Sequence, residues 1–127
     1  MKVILDTNAL MVPEQFGVEI FSELERLGYT ECLVPASVLA ELRALASGAK
    51  LGKDKVAARV ALVLAQRGRV LGEAGRNADA AIERLALDEN AAVFTNDRAL
   101  KKRLSSNGIT VIYLRQERYL DATKKEI

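Results

Sequence analysis

The sequence of 127 residues contains no histidine, no tryptophan and a single cysteine. The absence of histidine excludes the Ser-His-Asp and Cys-His nucleophile systems, and it removes the usual neutral-pH base and the commonest transition-metal ligand. One cysteine permits neither an internal disulfide nor a cysteine-based zinc site, and the apolar residues around Cys32 predict a buried structural thiol. If the protein is an enzyme, carboxylates must carry its chemistry.

Long apolar runs are also missing. No stretch approaches the ~18 to 20 apolar residues that cross a bilayer, and the run after Lys2 stops at Asp6, too early for a signal-peptide core. We therefore expect a cytoplasmic protein with no membrane association. Half of the residues are apolar, which is enough for a hydrophobic core in one domain of this size. We predict a single domain over residues 1–127, with a core at about 2–114 and a charged tail at 115–127.

Charge is unevenly distributed along the chain, although the net charge is only +2. Residues 1–41 contain two basic and seven acidic side chains, whereas residues 42–127 contain seventeen basic and ten acidic ones. A basic surface suits a polyanion such as nucleic acid, although solvated helices also carry an excess of lysine and arginine. Charge alone leaves both interpretations open.

Strand-like and helix-like patterns alternate along the chain. Apolar runs such as residues 2–5, "CLVP", "AAVFT" and "ITVIYL" predict strands, and the segments between them have helical spacing. This alternation predicts a Rossmann-like three-layer α/β/α sandwich with a parallel sheet of about five strands. The segment "VPEQFGVEIFSELERLG" is expected to form one helix after a short loop. The helix "KVAARVALVLAQRG" is apolar on nearly every side, which predicts burial on two faces, either inside the domain or partly against a second subunit.

Acidic residues follow two of the predicted strands. Asp6 ends the first strand and Asp97 follows "AAVFT", and these strands are neighbours in a doubly wound sheet, so both carboxylates should reach the crevice at the strand ends. Two carboxylates there repel each other, which raises a pKa or requires a cation. Short polar residues flank both acids, either holding the carboxylates in place or satisfying tight turns: Thr7, Asn8, Thr95 and Asn96.

Two further acids fall at comparable positions. Glu41 lies in the helix after the second strand, and Asp79 lies in the first turn of the helix that Asn77 opens. Either could face the crevice, although Glu41 could be solvated and Asp79 could only complement a helix N-terminus. Four carboxylates without nitrogen or sulfur ligands suit Mg²⁺ or Mn²⁺. Such a site, combined with basic residues that contact the phosphate backbone, fits phosphodiester hydrolysis.

Four strings, "ILDTNAL", "SVLAEL", "RNADAAI" and "VFTNDRALKKRL", resemble the four acidic motifs of the PIN-domain family, in order and at similar spacing. The resemblance covers about residues 2–114 and implies a metal-dependent ribonuclease, often dimeric, with catalytic Asp6, Glu41, Asp79 and Asp97. It implies that the three aspartates bind Mg²⁺ or Mn²⁺ and that Glu41 either ligates the ion or orients the water. Ala99 stands where many relatives have another acid, which puts a second metal in doubt.

Within that family the chain resembles the VapC toxins, whose ribonuclease activity is blocked by a cognate antitoxin protein. It is also similar to the PIN nucleases of ribosome assembly, which process ribosomal RNA, and a PIN domain that binds RNA or protein without cutting is a third possibility. An aspartate-nucleophile phosphatase would need Asp-x-Asp, and Asn8 stands at the second acidic position.

RNA would be contacted by basic side chains in the loop before the apolar helix and in the helix after Asp97. The alternative interpretation is that these side chains are ordinary solvated residues. The candidates are Lys50, Lys53, Lys55, Lys101, Lys102 and Arg103.

Overall fold

Strands and helices alternate along most of the chain in the computed structural model, which describes residues 1–48, 52–72 and 78–123. In chain order the elements are β1 (Lys2–Leu5), α1 (Thr7–Phe16), α2 (Ile20–Arg26), β2 (Glu31–Pro35), α3 (Ala36–Ala46), α4 (Lys53–Ala65), β3 (Arg69–Leu71), α5 (Ala78–Glu89), β4 (Ala92–Phe94), α6 (Arg98–Ser106), β5 (Val111–Arg115) and β6 (Tyr119–Ala122). None of the helices in these ranges is both long enough and apolar enough to span a bilayer.

The strands form one sheet in the order β3-β2-β1-β4-β5-β6. The first five pair in parallel and β6 pairs antiparallel with β5. The predicted Rossmann-like α/β class with a parallel sheet is confirmed, and so is the predicted pairing of the first and fourth strands. Leu5 pairs with Phe94, so the chain leaves both strands at the same edge of the sheet.

The central strand β4 is apolar along its whole length and β1 is apolar after Lys2, because helices cover them on both faces. Val3, Ile4 and Leu5 of β1 are fully buried, as are Val93 and Phe94 of β4. A polar residue directly after either strand therefore lies inside the protein. After β1 this residue is Asp6.

The predicted single helix at residues 12–28 is wrong, because two helices occupy this region. α1 begins at Thr7, directly after Asp6 and without a loop, and it ends at Gly17. Gly17 has φ of 68° and its N–H donates to the carbonyl of Pro13. This left-handed conformation suits glycine and ends the helix, and α2 starts three residues later.

The end of the chain contributes more to the sheet than the predicted tail allows. Tyr119–Ala122 forms β6, so the sheet has six strands and not about five, and Leu120 is fully buried. Two side chains of α2 bind the β6 backbone: Arg26 donates to the Leu120 carbonyl (2.7 Å), and the Leu120 N–H donates to Glu23 (3.0 Å). Residues 124–127 of the tail lie outside the described residues.

Within the chain the α4 helix is buried on one face, so the predicted core location of its second face is wrong, whereas burial of that face against a second subunit stays a prediction. Its alanines face α1 and α3 and are buried at Ala57, Ala58 and Ala61. Val56 and Val63 are 48% and 64% exposed. The small residues allow close helix packing, and the valine face stays open to solvent.

Candidate active site

Asp6 is a buried carboxylate at the end of β1. Its side chain is the N-cap of α1, with Oδ1 accepting from the Thr7 N–H (2.8 Å), and the residue is only 8% exposed. Burial raises the pKa of Asp6, hydrogen bonds from Thr95 and Thr7 oppose that rise, and the charges of Glu41 and Asp79 add to it. The carboxylate is therefore costly to ionise in this position without a cation.

A hydrogen-bond network joins the end of β1 to the end of β4. Oδ2 of Asp6 accepts from the Thr95 hydroxyl (2.7 Å) and from the Asn8 amide (3.0 Å). Asn8 in turn accepts from the Asn96 N–H (2.9 Å), and Asn96 accepts from the Leu114 N–H (2.8 Å). The four polar residues that flank the acids thus orient Asp6 and also satisfy backbone groups.

Glu41 and Asp79 lie near enough for their charges to act on Asp6. Glu41 is an exposed residue of α3, and its Oε2 accepts from the Thr7 hydroxyl (2.9 Å). Asp79 is exposed in the first turn of α5, and Asn77 lies outside the described residues. The charges of both acids therefore act on Asp6, and Glu41 is also linked to its neighbour Thr7, while their arrangement as one site stays a prediction.

Asp97 occupies a different position. It is the exposed N-cap of α6, with Oδ1 accepting from the Leu100 N–H (3.0 Å). Its own N–H donates to the Thr95 hydroxyl (3.2 Å), which is the group that donates to Asp6. Within residues 1–48, 52–72 and 78–123, no three acidic side chains already converge as a metal site.

The donor set nevertheless fits a hard divalent cation. The acids supply oxygen only, and Asp6 is a buried carboxylate whose pKa is raised by burial and by neighbouring negative charge. A cation beside Asp6 would offset that cost, and oxygen ligands suit Mg²⁺ or Mn²⁺ better than zinc. Asp6 with Asp79, Asp97 and Glu41 are the residues that could hold it.

The predicted basic residues are in varied surroundings. Lys50 and the side chain of Lys53 lie outside the described residues, and Lys55 is half-buried. The Lys101 ammonium sits 3.6 Å from the centre of the Tyr113 ring, Lys102 is exposed, and Arg103 forms an ion pair with Glu83. Arg103 is thus already engaged within the fold.

A cleft of about 540 Å³ lies beside the acidic crevice. Sequence reasoning missed Phe16, Arg98 and Tyr113 as site residues. Arg98 could have been found, because it directly follows Asp97, whereas nothing in the sequence pairs Tyr113 with this edge. The residues lining it are Asn8, Gln15, Phe16, Asn96, Arg98, Lys101, Tyr113 and Leu114.

A mostly parallel sheet with an aspartate directly after β1 and another three residues after β4 defines an α/β protein with acidic residues at its topological switch point. The sequence model of the family described as "PIN like domain" matches residues 3–117. The chain belongs to the PIN-domain family.

Two relatives are ribonucleases. The chain is 33% identical over 115 residues to Ribonuclease VapC9 of Archaeoglobus fulgidus, covering 91% of this chain and 84% of that protein. It is 32% identical over 124 residues to Ribonuclease VapC4 of Methanocaldococcus jannaschii, covering 94% and 95% of the two chains.

Solved structures share the fold. The PIN domain endonuclease Utp24 is similar with a TM-score of 0.74 and 23% identity, over 95% of this chain and 90% of that one. A domain of a functionally unknown protein from Methanocaldococcus jannaschii is similar with a TM-score of 0.60 and 21% identity, over 99% and 95%.

Proposed function

We propose that the protein is a metal-dependent endoribonuclease that hydrolyses RNA phosphodiester bonds at Asp6, Glu41, Asp79 and Asp97. The observation that carries the proposal is the buried Asp6 carboxylate, whose pKa is raised by burial and by the charges of Glu41 and Asp79. A buried carboxylate with a raised pKa is typical of a functional site, and a cation and a phosphate would complete the site here. Relatives that are ribonucleases support the RNA substrate.

Each residue has a part that follows from its surroundings. Asp6 is fixed by Thr7, Asn8 and Thr95 and presents a carboxylate of constant orientation. The Thr7 hydroxyl donates to Glu41, and the rest of the Glu41 carboxylate is open to solvent. Glu41 can therefore orient the attacking water or accept its proton. When bound, Mg²⁺ or Mn²⁺ would supply charge to the phosphate and lower the pKa of a water.

We further propose that the protein is the VapC-like toxin of a type II toxin-antitoxin pair. The support is that both ribonuclease relatives carry the VapC name and match along most of their length. The proposed partners are cellular RNA in the cytoplasm, a cognate antitoxin and a second copy of the chain. The open valine face of α4 suits a homodimer, which sedimentation would test.

Two alternatives are less well supported. The likeness to Utp24 concerns the fold alone, so it does not favour ribosomal RNA processing over a toxin. A non-cleaving PIN domain would agree with Ala99, but it would leave the buried Asp6 and its network without a use.

The test of the nuclease is cleavage of end-labelled ribosomal, transfer and messenger RNAs with Mg²⁺, Mn²⁺ or chelator. We expect cutting only with metal, and its loss in Glu41→Gln but not in Glu25→Gln, an exposed glutamate of α2. Equal cutting in chelator would refute metal dependence, and no cutting under any condition would favour a binding domain. Growth arrest on expression, relieved by a small protein encoded next to the gene, would identify the toxin.

A further inference from the structure

We propose that the cleft beside the acidic crevice holds one unpaired nucleotide of the RNA strand next to the bond that is cut. In this assignment Phe16 stacks on the base, and Arg98 and Lys101 contact its phosphate. The inference rests on the proposed function, since it names the residues that hold the RNA strand beside the proposed catalytic site.

The cleft and the acidic crevice share a wall. Asn8 and Asn96 line the cleft. The Asn8 amide donates to Asp6 (3.0 Å) while its oxygen accepts from the Asn96 N–H (2.9 Å). A strand whose phosphate lies at Asp6 therefore has its adjoining nucleotide at the cleft, against a wall held by hydrogen bonds.

The chemistry of the lining matches a nucleotide. Phe16 ends α1 with 41% of its surface exposed, and its ring lines the cleft. Stacking on exposed aromatic rings, together with a positive groove, is how single strands are bound without pairing. Arg98 supplies charge at the start of α6, and a phosphate is the complementary group.

Tyr113 holds the ammonium group of Lys101, which is the second cation of the cleft. The Lys101 ammonium rests 3.6 Å from the centre of the Tyr113 ring, and this contact holds a flexible side chain at the rim of the cleft. Because that face of the ring is covered, Phe16 is the stacking residue and Tyr113 is a positioning residue for Lys101.

The size of the cleft fits a single nucleotide. About 540 Å³ falls within the range of small-ligand sites, roughly 300–1,000 Å³, which admits one nucleotide. A base inside a helix has no free face to offer Phe16, whereas unpaired bases of loops and ends do. A paired base would therefore leave Phe16 without a stacking partner.

Binding is measured by fluorescence anisotropy, with a fluorescein-labelled ten-nucleotide single-stranded RNA and metal-free protein in chelator, so that nothing is cut. Phe16→Ala should weaken binding about five-fold or more at every salt concentration, because one stacked base is lost. Arg98→Ala should also reduce the slope of log affinity against log salt by about 0.7, the value for one phosphate contact on a single strand.

Matched controls lie at the opposite edge of the sheet. Leu87→Ala removes an apolar side chain that is 57% exposed, and Arg69→Ala removes a cation at the start of β3. Neither should change affinity or salt slope. Tyr113→Leu should weaken binding, and Tyr113→Phe, which keeps the ring, should restore it.

The outcomes separate this inference from the proposed nuclease. Metal-dependent cutting by the wild type with unchanged RNA affinity in Phe16→Ala and Arg98→Ala would overturn the cleft and leave the nuclease standing. Weaker binding in those variants without any cutting by the wild type would support the cleft and overturn the nuclease. Equal affinity for a duplex of the same sequence, or no RNA binding, would also overturn the cleft.

Discussion

The segments that follow β1 and β4 contain the same three residue types but place their carboxylates in opposite surroundings. In Asp6-Thr7-Asn8 the acid comes first, directly after a buried strand, and it is itself buried. In Thr95-Asn96-Asp97 the threonine takes the buried place and the acid comes last, in solvent. Both aspartates are helix N-caps, so capping alone does not explain why one of them is desolvated.

The difference indicates that the two segments have different roles. Thr95 holds Asp6 with a hydrogen bond of 2.7 Å and accepts from the Asp97 N–H, so the second segment supports the acid of the first. The buried Asp6 carboxylate costs free energy to ionise and is held in place, and the exposed Asp97 carboxylate is held at Oδ1 by the backbone of α6. We expect activity to depend on both and stability to depend on them differently.

The largest expected effect is the loss of cleavage in Asp6→Asn. Changes to residues that only support a metal site cost about 10–100-fold, so removal of a proposed ligand should reduce the cleavage rate at least about 100-fold. The measurement is single-turnover cutting of labelled RNA, with the exposed Glu14→Gln as the control. A rate within a few-fold of wild type would make Asp6 a structural residue.

Thr95→Val tests the support between the segments. Valine keeps the shape but leaves the buried carboxylate without one donor, which should cost about 1–3 kcal/mol of unfolding free energy. Cleavage should fall roughly 10–100-fold. Thr95→Ser keeps the hydroxyl and should preserve most of both properties. If valine and serine behave alike in urea unfolding and in cleavage, the hydroxyl does not hold Asp6.

Asp97 should show a smaller effect on stability. Asp97→Ala removes the α6 cap and should lower the unfolding free energy by about 1 kcal/mol, whereas Asp97→Asn should retain it, because asparagine caps as well as aspartate. Urea unfolding of the two variants measures the difference. Equal stabilities would mean that the cap contributes nothing.

The smallest expected effect is a pH dependence at Asp6. Because burial raises the pKa of folded Asp6, the unfolded chain ionises first, at about pH 3.9, and wild-type stability falls as pH rises from there through the folded pKa. Asparagine does not ionise, so the stability of Asp6→Asn does not fall with pH for this reason. In chelator, the melting temperature of the variant minus that of the wild type should therefore increase between about pH 3 and 7, and a constant or falling difference would contradict the assignment.

The sequence was sufficient for the parallel sheet and for the meeting of β1 and β4, because buried strands read as unbroken apolar runs and neighbouring strand ends share an edge. The sequence was insufficient where the structure depends on contacts between residues far apart in the chain. The β6 strand lacks an apolar run and is held by Arg26 and Glu23 of α2. The break at Gly17 depends on one backbone angle.

For the candidate site, residue type and position pointed to Glu41 and Asp79, whose charges act on Asp6, and their place in a four-carboxylate site stays a prediction. The contrast between Asp6 and Asp97 was not predictable, because it depends on which residue of each segment enters the interior. The cleft was missed because Phe16, Arg98 and Tyr113 come from three separate parts of the chain and meet only in the folded protein.

The most direct test of the central claim is single-turnover cleavage of one RNA by wild type and Asp97→Asn, in Mg²⁺ and Mn²⁺, with unfolding curves measured on the same samples. We expect equal stability and cleavage reduced at least about 100-fold, since asparagine replaces the cap but not the charge. Equal stability with unchanged cleavage would mean that Asp97 only caps α6 and that the four-carboxylate site is wrong.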